Sequence, residues 1–548
     1  MKFRTLTNRL LLLLTGALLA TTPAHSENTR GKRDLVLPDV NIVGRKTFEF
    51  VLMGEKTLRL HRFKLPAHRS VGTKKPAGPD LLRDLSPKRA MPQKQWPGGK
   101  GALSVRSELG SFARLHLGAR AGREWGQAGF ALTAGDHTQT AGHTDDSASR
   151  CESAEALMAY SLPDKGDLSL RIGVEDGKRE LWGTRPLSQQ RRFRRWETRM
   201  TATLPLPMPG NGNATFGGGL SRDEIEDRET SIRAEETAVR AFGSIDARKK
   251  ETRLRLAATY EGAFLDQRTI ESTSHLFGLE AGAERVFGAV SLRGGMRYFY
   301  ADDSSEPGKH LFYPLGSMTY TPNPRLQIAL TLDPTVISTI LWKRHQSNPF
   351  LQLGTPSLPH RTERNPIALS LKCDARLSEA LSGACRLGYE KTEHFPLWTD
   401  ADSNGTWEIM PNRTVTRMVA SAQMEYEAHP ALVLFSYFTI QQTTFSDTTH
   451  GHVPYAPSFS GRFEVASEPH PGWGLFLSAD VLGTRFVKEG SDEKLDPCIL
   501  LAAQFTKKIA SHLDIFLRAD NLLDQSYALW KDYPMPGIGI SGGLKLAW

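Results

Sequence analysis

Side chains able to ligate a metal gather twice in this 548-residue chain. His137, His143, Asp145 and Asp146 share one polar connection, and His450 and His452 share another. Imidazole and carboxylate suit zinc, copper or iron. A site also needs its ligands held at a defined spacing on a helix or strand, and here both groups fall in loops. The expectation is solvated side chains and no metal. Four cysteines, Cys151, Cys373, Cys385 and Cys498, are too few and too dispersed for a disulfide scaffold or a zinc site. The phosphate-binding glycine loop and the paired histidines of a zinc helix are both missing from the sequence. Carboxylates alternate with basic residues along extended segments, so no acid and base stand out as a catalytic pair. The chain reads as a non-enzyme with no cofactor.

The elements that carry these side chains begin with an export signal. Lys2, Arg4 and Arg9 precede an apolar run from Leu10 to Ala20, and Ala24 and Ser26 supply the small residues of a cleavage site, so residues 1–26 read as a signal peptide. The formal charge of +9 is unevenly spread. Residues 1–26 carry +3, residues 27–100 carry +10, and residues 101–548 carry −4. Residues 27–100 interleave Pro38, Pro66, Pro76, Pro79, Pro87, Pro92 and Pro97 with Lys and Arg, which predicts a basic, mostly extended arm without a core of its own. Export makes nucleic acid an unsuitable partner for this basicity; acidic groups of the cell envelope suit it better.

From about residue 101 the pattern has period 2. Leu168, Leu170, Ile172 and Val174 alternate with Ser169, Arg171, Gly173 and Glu175, and Leu254, Leu256, Ala258 and Tyr260 alternate with Arg253, Arg255 and Thr259. The same alternation recurs at Leu326–Asp333, Ile367–Asp374 and Leu513–Asp520. Short turns such as Pro163–Gly166, Pro209–Gly212, Pro322–Pro324, His429–Pro430, Pro469–Gly472 and Lys508–His512 take turns with long polar loops such as Gly483–Pro497 and Asn521–Gly537. Half-apolar strands with short turns at one end and long loops at the other predict an all-β fold, a single large antiparallel transmembrane β-barrel over residues 101–548. The spacing predicts about 20–22 strands, with 22 favoured, and a lumen too wide for side chains alone to fill. Trp125, Trp182, Trp196, Trp398 and Trp407 lie near strand ends, where they fit either aromatic girdles or loop packing. Cys373 and Cys385 lie symmetrically about Glu379 in a predicted hairpin and face lipid. A cross-strand disulfide is sterically allowed there, and two reduced small residues are the preferred reading.

The chain closes on an amphipathic strand in which Leu544 and Leu546 alternate with polar or small residues up to Trp548. That ending resembles the recognition signal of the barrel-assembly machinery. Upstream, the order Val453-Pro454-Tyr455-Ala456-Pro457, Lys494-Leu495-Asp496-Pro497, Arg518-Ala519-Asp520-Asn521-Leu522-Leu523-Asp524-Gln525-Ser526-Tyr527 and Tyr533-Pro534-Met535-Pro536-Gly537 resembles the barrel end of TonB-dependent receptors. Leu523 and Ile538 depart from the usual pattern. Asn348-Pro349-Phe350 with Thr362-Glu363-Arg364-Asn365 is a weaker echo. The resemblance implies a 22-strand barrel, an N-terminal plug and a TonB box ahead of it that meets an energy-coupling protein. Asp39, Val40, Asn41, Ile42 and Val43 look like that box. Only about 57 residues then separate Val43 from the barrel, less than half of what the family's plug needs, and the glycine-arginine plug motifs do not occur.

These readings predict a plugless, receptor-like barrel in the outer membrane of a Gram-negative cell, with its arm in the periplasm. Its expected partners are outer-membrane lipid, the assembly machinery during insertion, and a periplasmic or energy-coupling protein at the arm. Three functions are compatible with the sequence: a transport channel of unassigned solute, a non-conducting anchoring or assembly barrel, and an energised receptor whose plug comes from another chain.

Overall fold

The computed structural model describes residues 102–547 apart from Pro349 and the connections 126–127, 141–147, 163–165, 182–188, 207–211, 268–269, 304–305, 356–361, 401–406 and 447–450. Asp39–Val43, the arm at 27–100, His143, Asp145, Asp146, His450 and Trp548 lie outside the described residues.

Twenty-two antiparallel spans form one closed sheet. Each span pairs with the next in sequence, and the last, Gly539–Ala547, returns to the first, Ala102–Gly110, in register from Ser104↔Ala547 to Gly110↔Ser541. Closure satisfies the backbone donors and acceptors of every span and leaves no edge, which hydrocarbon demands. One span is interrupted: Leu326–Leu332 and Thr335–Ser338 both pair with Thr362–Arg376, and Pro334 sits in the break, where it has no N–H to donate.

The alternation read from sequence sets the faces. Leu254, Leu256, Leu369, Leu371, Leu387 and Leu517 are exposed large apolar side chains on the outer face, whereas Arg253, Arg255 and Glu261 share the opposite parity and face the lumen. Among the described residues no helix is long and apolar enough to cross a membrane, and strands make every crossing. All the short turns anticipated from sequence fall at one end of the barrel; Gly472, at φ +78°, lets the chain reverse between His470 and Trp473. At the opposite end the chain spends far more residues. There Ser338 leads into a connection containing the helix Leu341–Ser347, and the loops after Phe445, Leu482 and Asp520 carry buried residues of their own.

Cys373 and Cys385 stand directly opposite each other in the hairpin of Thr362–Arg376 and Leu381–Thr399, and all four cysteines are free thiols. Of the two readings of Trp398 and Trp407, girdle or loop packing, the second holds. Both are almost completely buried, at 3% and 1% exposure, inside the long-loop end. Trp473, 40% exposed near the short-turn end, has the position of a girdle residue instead.

Candidate functional site: the cap at the long-loop end

Most of the buried apolar side chains of this barrel belong to a single cluster at the long-loop end. Leu181, Phe193, Ile225, Ala234 and Leu265 enter it from the fifth to ninth strands, on the lumen face. Ile340, Leu341, Trp342, Phe350, Leu351 and Leu353 come from the helix-bearing loop, and Trp398, Trp407, Tyr455, Leu529, Trp530, Tyr533 and Met535 from strands and loops far round the circumference. A cluster that joins strands from opposite arcs must cross the mouth. We call it the cap.

Aromatic packing holds the cap together. Ring centroids of Phe350 and Tyr533 lie 3.6 Å apart, those of Tyr455 and Trp530 4.4 Å, and Trp407 packs against both Tyr533 at 5.2 Å and Trp530 at 5.3 Å. Tilted and edge-on contacts of this kind add to the area that each ring removes from water. Backbone bonds stitch separate loops to one another: Trp407 N–H donates to the Phe350 carbonyl at 3.0 Å, Gln352 N–H to the Trp407 carbonyl at 2.8 Å, and Tyr455 N–H to the Phe486 carbonyl at 2.8 Å.

Three polar devices brace the cap and the wall beside it. The first N–H of the short helix, on Leu341, donates to the buried carboxylate of Glu236 at 2.7 Å, so a strand residue satisfies a donor that the helix leaves open. Arg191 and Asp227, both buried, form a two-pronged pair at 2.6 and 2.8 Å. Arg485 reaches inward and donates to the carbonyls of Ala528 and Leu529 at 2.9 and 3.3 Å, fixing the last loop under the aromatic layer. On the helix, Trp342 lies beneath the Arg195 guanidinium, 5.1 Å away, and His345 is wedged against Phe193 and Trp342. Burial, reinforced by the charges of Arg179 and Arg191, holds the His345 imidazole well below its ordinary pKa, so it is neutral. Burial likewise lowers the Lys343 ammonium and raises the Tyr533 and Tyr455 phenols; the Tyr527 phenol is pushed up to about 12.

The receptor-like motif near the barrel end builds the frame of the last loop. Asn521, buried at φ +49°, donates through Nδ2 to the carbonyls of Gln525 and Pro536 at 3.0 and 3.1 Å and accepts from the Gln525 N–H at 3.1 Å. Asp524 accepts from the Ile538 N–H at 2.8 Å. A Cβ on Gly537 would stand 2.5 Å from the Asp524 carboxylate, which explains the glycine. Asn521 and Asp524 therefore clasp both ends of the loop, while Leu522 and Leu523 point outward and Tyr527 packs on the cap. In the final strand Leu544 is exposed on the outer face and Leu546 half-buried. Of the histidines, His137 lies 3.4 Å from Glu152 and His452 stacks on Phe486 at 3.7 Å; no group of three or more metal-ligating side chains occurs among the described residues.

Below the cap the lumen wall is charged and partly exposed. Arg255, Arg293 and Arg297 converge on Glu280 at 3.5, 2.5 and 2.9 Å, and Arg297 also reaches Asp333. Arg417 and Arg386 flank Glu390, and these three side chains line a wall pocket of about 170 Å³ with Asp333, Ser370 and Tyr437. Arg462 pairs with Asp480 at 2.6 Å. A face of this kind needs water to pay its desolvation cost.

No family model and no curated protein matches the sequence. Solved structures do match in fold. The FrpB iron transporter from Neisseria meningitidis is 11% identical with a TM-score of 0.66, over 86% of this chain and 83% of that one. The copper transporter OprC is 12% identical with a TM-score of 0.64, over 82% of this chain and 80% of that one. The ferric yersiniabactin uptake receptor FyuA from Yersinia pestis is 9% identical with a TM-score of 0.62, over 83% and 81%. The chain thus has the fold of the outer-membrane transport barrels, a TonB-dependent-receptor-like closed barrel of 22 strands.

Proposed function

We propose that this protein is a gated outer-membrane transport barrel whose long-loop end faces the outside of the cell and whose basic arm lies in the periplasm. The observation that carries the proposal is the cap. A lumen lined with ion pairs serves passage of a hydrophilic solute, and an apolar layer across one mouth serves to interrupt that passage until the loops part. The fold likeness to transporters of iron, copper and a ferric siderophore supports a transport role. Energy would reach the barrel through Asp39–Val43 as a TonB box, and residues 44–100 would act at the periplasmic mouth, drawn by their positive charge to the net negative barrel.

A second reading, a non-conducting barrel that anchors a periplasmic partner through the arm, is favoured by the same cap, because a permanently sealed mouth passes nothing. Deleting residues 44–100 while keeping the signal peptide separates the two when it is made in a barrel whose cap is opened by Trp407→Ala and Trp530→Ala, since an intact cap hides any effect at the periplasmic mouth. A gate predicts greater sensitivity of cells to large antibiotics and faster swelling of proteoliposomes in a sugar. An anchor predicts loss of a co-purifying periplasmic protein with permeability unchanged. If neither changes, the arm has no part in gating or docking.

A further inference from the structure

A cationic row lies on the outer face near the long-loop end, on strands four to eight: Ser149–Leu162, Gly166–Leu181, Gln189–Leu206, Gly212–Asp227 and Ile232–Lys249. The pairing register sets Arg150 opposite Lys178, Lys178 opposite Arg192, Arg192 opposite Glu226 and Glu226 opposite Arg233. Four of five neighbours in one row are cations. Like charges placed directly across a ladder destabilise it; carboxylates of the next row offset that cost at Arg150, Arg192 and Arg233, and Lys178 is the cation left over. The charges of Arg228, Arg192 and Arg150 all bear on Lys178. Lys178 is exposed and makes no ion pair among the described residues.

The rows beneath place this one relative to the bilayer. Next towards the short-turn end come Glu152, Asp176, Arg194, Glu224 and Glu235, then Ala154, Val174, Trp196 and Arg222, then Ala156, Ile172, Thr198 and Leu220. Below these, Met158, Met200, Leu168 and Phe216 are exposed apolar side chains. The sequence of rows is thus apolar, then a tryptophan, then charge, which is the profile of a bilayer surface. Four residues separate Val174 from Lys178; at ~3.3 Å per residue and a strand tilt near 40° the basic row stands ~10 Å above the tryptophan level, in the headgroup layer. The carboxylates below orient the cations: Arg150 bonds Glu152, Arg192 bonds Asp176 at 3.1 Å, and Arg233 lies 3.4 Å from Glu224.

We propose that Arg150, Lys178, Arg192 and Arg233 form a docking site for the phosphate groups of an anionic lipid in the leaflet at the long-loop end. Guanidinium and ammonium groups suit phosphate oxygens, and the apolar rows that begin beyond the acidic row and the tryptophan level receive the acyl chains of the same molecule. Free phosphate shares the headgroup chemistry but has no use for the apolar rows. The site requires only that the barrel be embedded in a membrane and is independent of what the barrel carries.

The test is native mass spectrometry of the full-length protein, released from nanodiscs containing either diphosphorylated lipid A or its dephosphorylated form. The parent is expected to retain the phosphorylated lipid selectively. The triple variant R150Q/K178Q/R192Q is expected to lose retention about tenfold or more, as removal of three charge-assisted contacts implies, with heat-modifiable migration on gels confirming that it is folded. Should the triple variant not fold, Lys178→Gln alone touches no partner and is expected to lower retention about threefold. Equal retention of the dephosphorylated lipid by the parent, unchanged retention in the folded variants, or displacement of the lipid by millimolar inorganic phosphate would each overturn the proposal.

Discussion

The cap and the lumen wall are built from the same barrel strands, yet they obey opposite rules. On the ninth strand, Arg253, Arg255 and Glu261 line the wet wall, while Ala263 and Leu265, on the same face one turn of the pleat further along, are buried in the cap. The fully buried Arg191–Asp227 pair and the partly exposed arginines around Glu280 are both arginine–carboxylate groups, but their surroundings differ. In the cap, neither member of a pair can turn to water, so each contact is costly to lose. On the wall, water replaces a lost partner. A barrel can therefore hold a firmly built closure over a soft, exchangeable passage without changing its strands.

The largest effect that would break this comparison concerns Trp407. Trp407→Ala removes a side chain that touches rings from three other loops, and about 3–5 kcal/mol of cap stability is expected to go with it. Hydrogen exchange should quicken in the cap and leave the strand ladders protected; uniform quickening would show that cap and barrel are one cooperative unit. Next comes the contrast between ion pairs. Asp227→Ala takes the carboxylate from a buried arginine and is expected to cost about 3–5 kcal/mol, whereas Glu280→Gln on the wall, which keeps the shape of the side chain and leaves arginines that reach solvent, should cost less, about 1–3 kcal/mol. Denaturation of the two variants checks the order. Glu280→Gln should also move the reversal potential of an opened pore towards anions, because three arginines remain where one acid stood.

Asn521→Ala, which removes the clasp of the last loop, is expected to loosen the cap by about 1–3 kcal/mol. Protease susceptibility between Asn521 and Ile538 reads this directly.

The smallest effect is one of pH. His345 has its pKa lowered by burial and by Arg179 and Arg191, with Phe193 and Trp342 as its apolar neighbours. A released helix binds a proton near pH 6.5, where the packed one does not, so the contribution to cap closure is complete above that pH and is lost as pH falls below it. Cap exchange in the parent should therefore quicken on acidification from pH 7.5 to 5 relative to that in His345→Phe. The same pH dependence in the two proteins would contradict the assignment.

Barrel and cap were unequally legible in the sequence. Leu168 and Leu254 with their alternating partners announced strands because a lipid face and a wet face impose period 2 over the whole span, and the short turns followed from their prolines and glycines. The cap follows no period. Its residues sit in loops, and Trp398 and Trp407, which near strand ends fitted girdle or loop packing equally, owe their burial to chain reversals and to partners over a hundred residues away in Tyr533 and Trp530. One signal was present nonetheless. Phe193 shares its parity with Arg191 and Arg195, and Ile225 with Asp223 and Asp227. An apolar residue set into a charged lumen face near the loop end marks where that face turns dry. Asn521 and Asp524 stood out as a motif of the receptor-like barrel end, but their part in clasping the last loop required the loop's return at Pro536–Ile538.

Single-channel recording in planar bilayers tests the central claim most directly, comparing the full-length protein with a variant carrying Trp407→Ala and Trp530→Ala. If the cap closes the barrel, the parent is silent and the folded variant opens to a large, salt-sensitive conductance. A parent that already conducts at the level of the variant, or a folded variant that stays silent, would contradict the account.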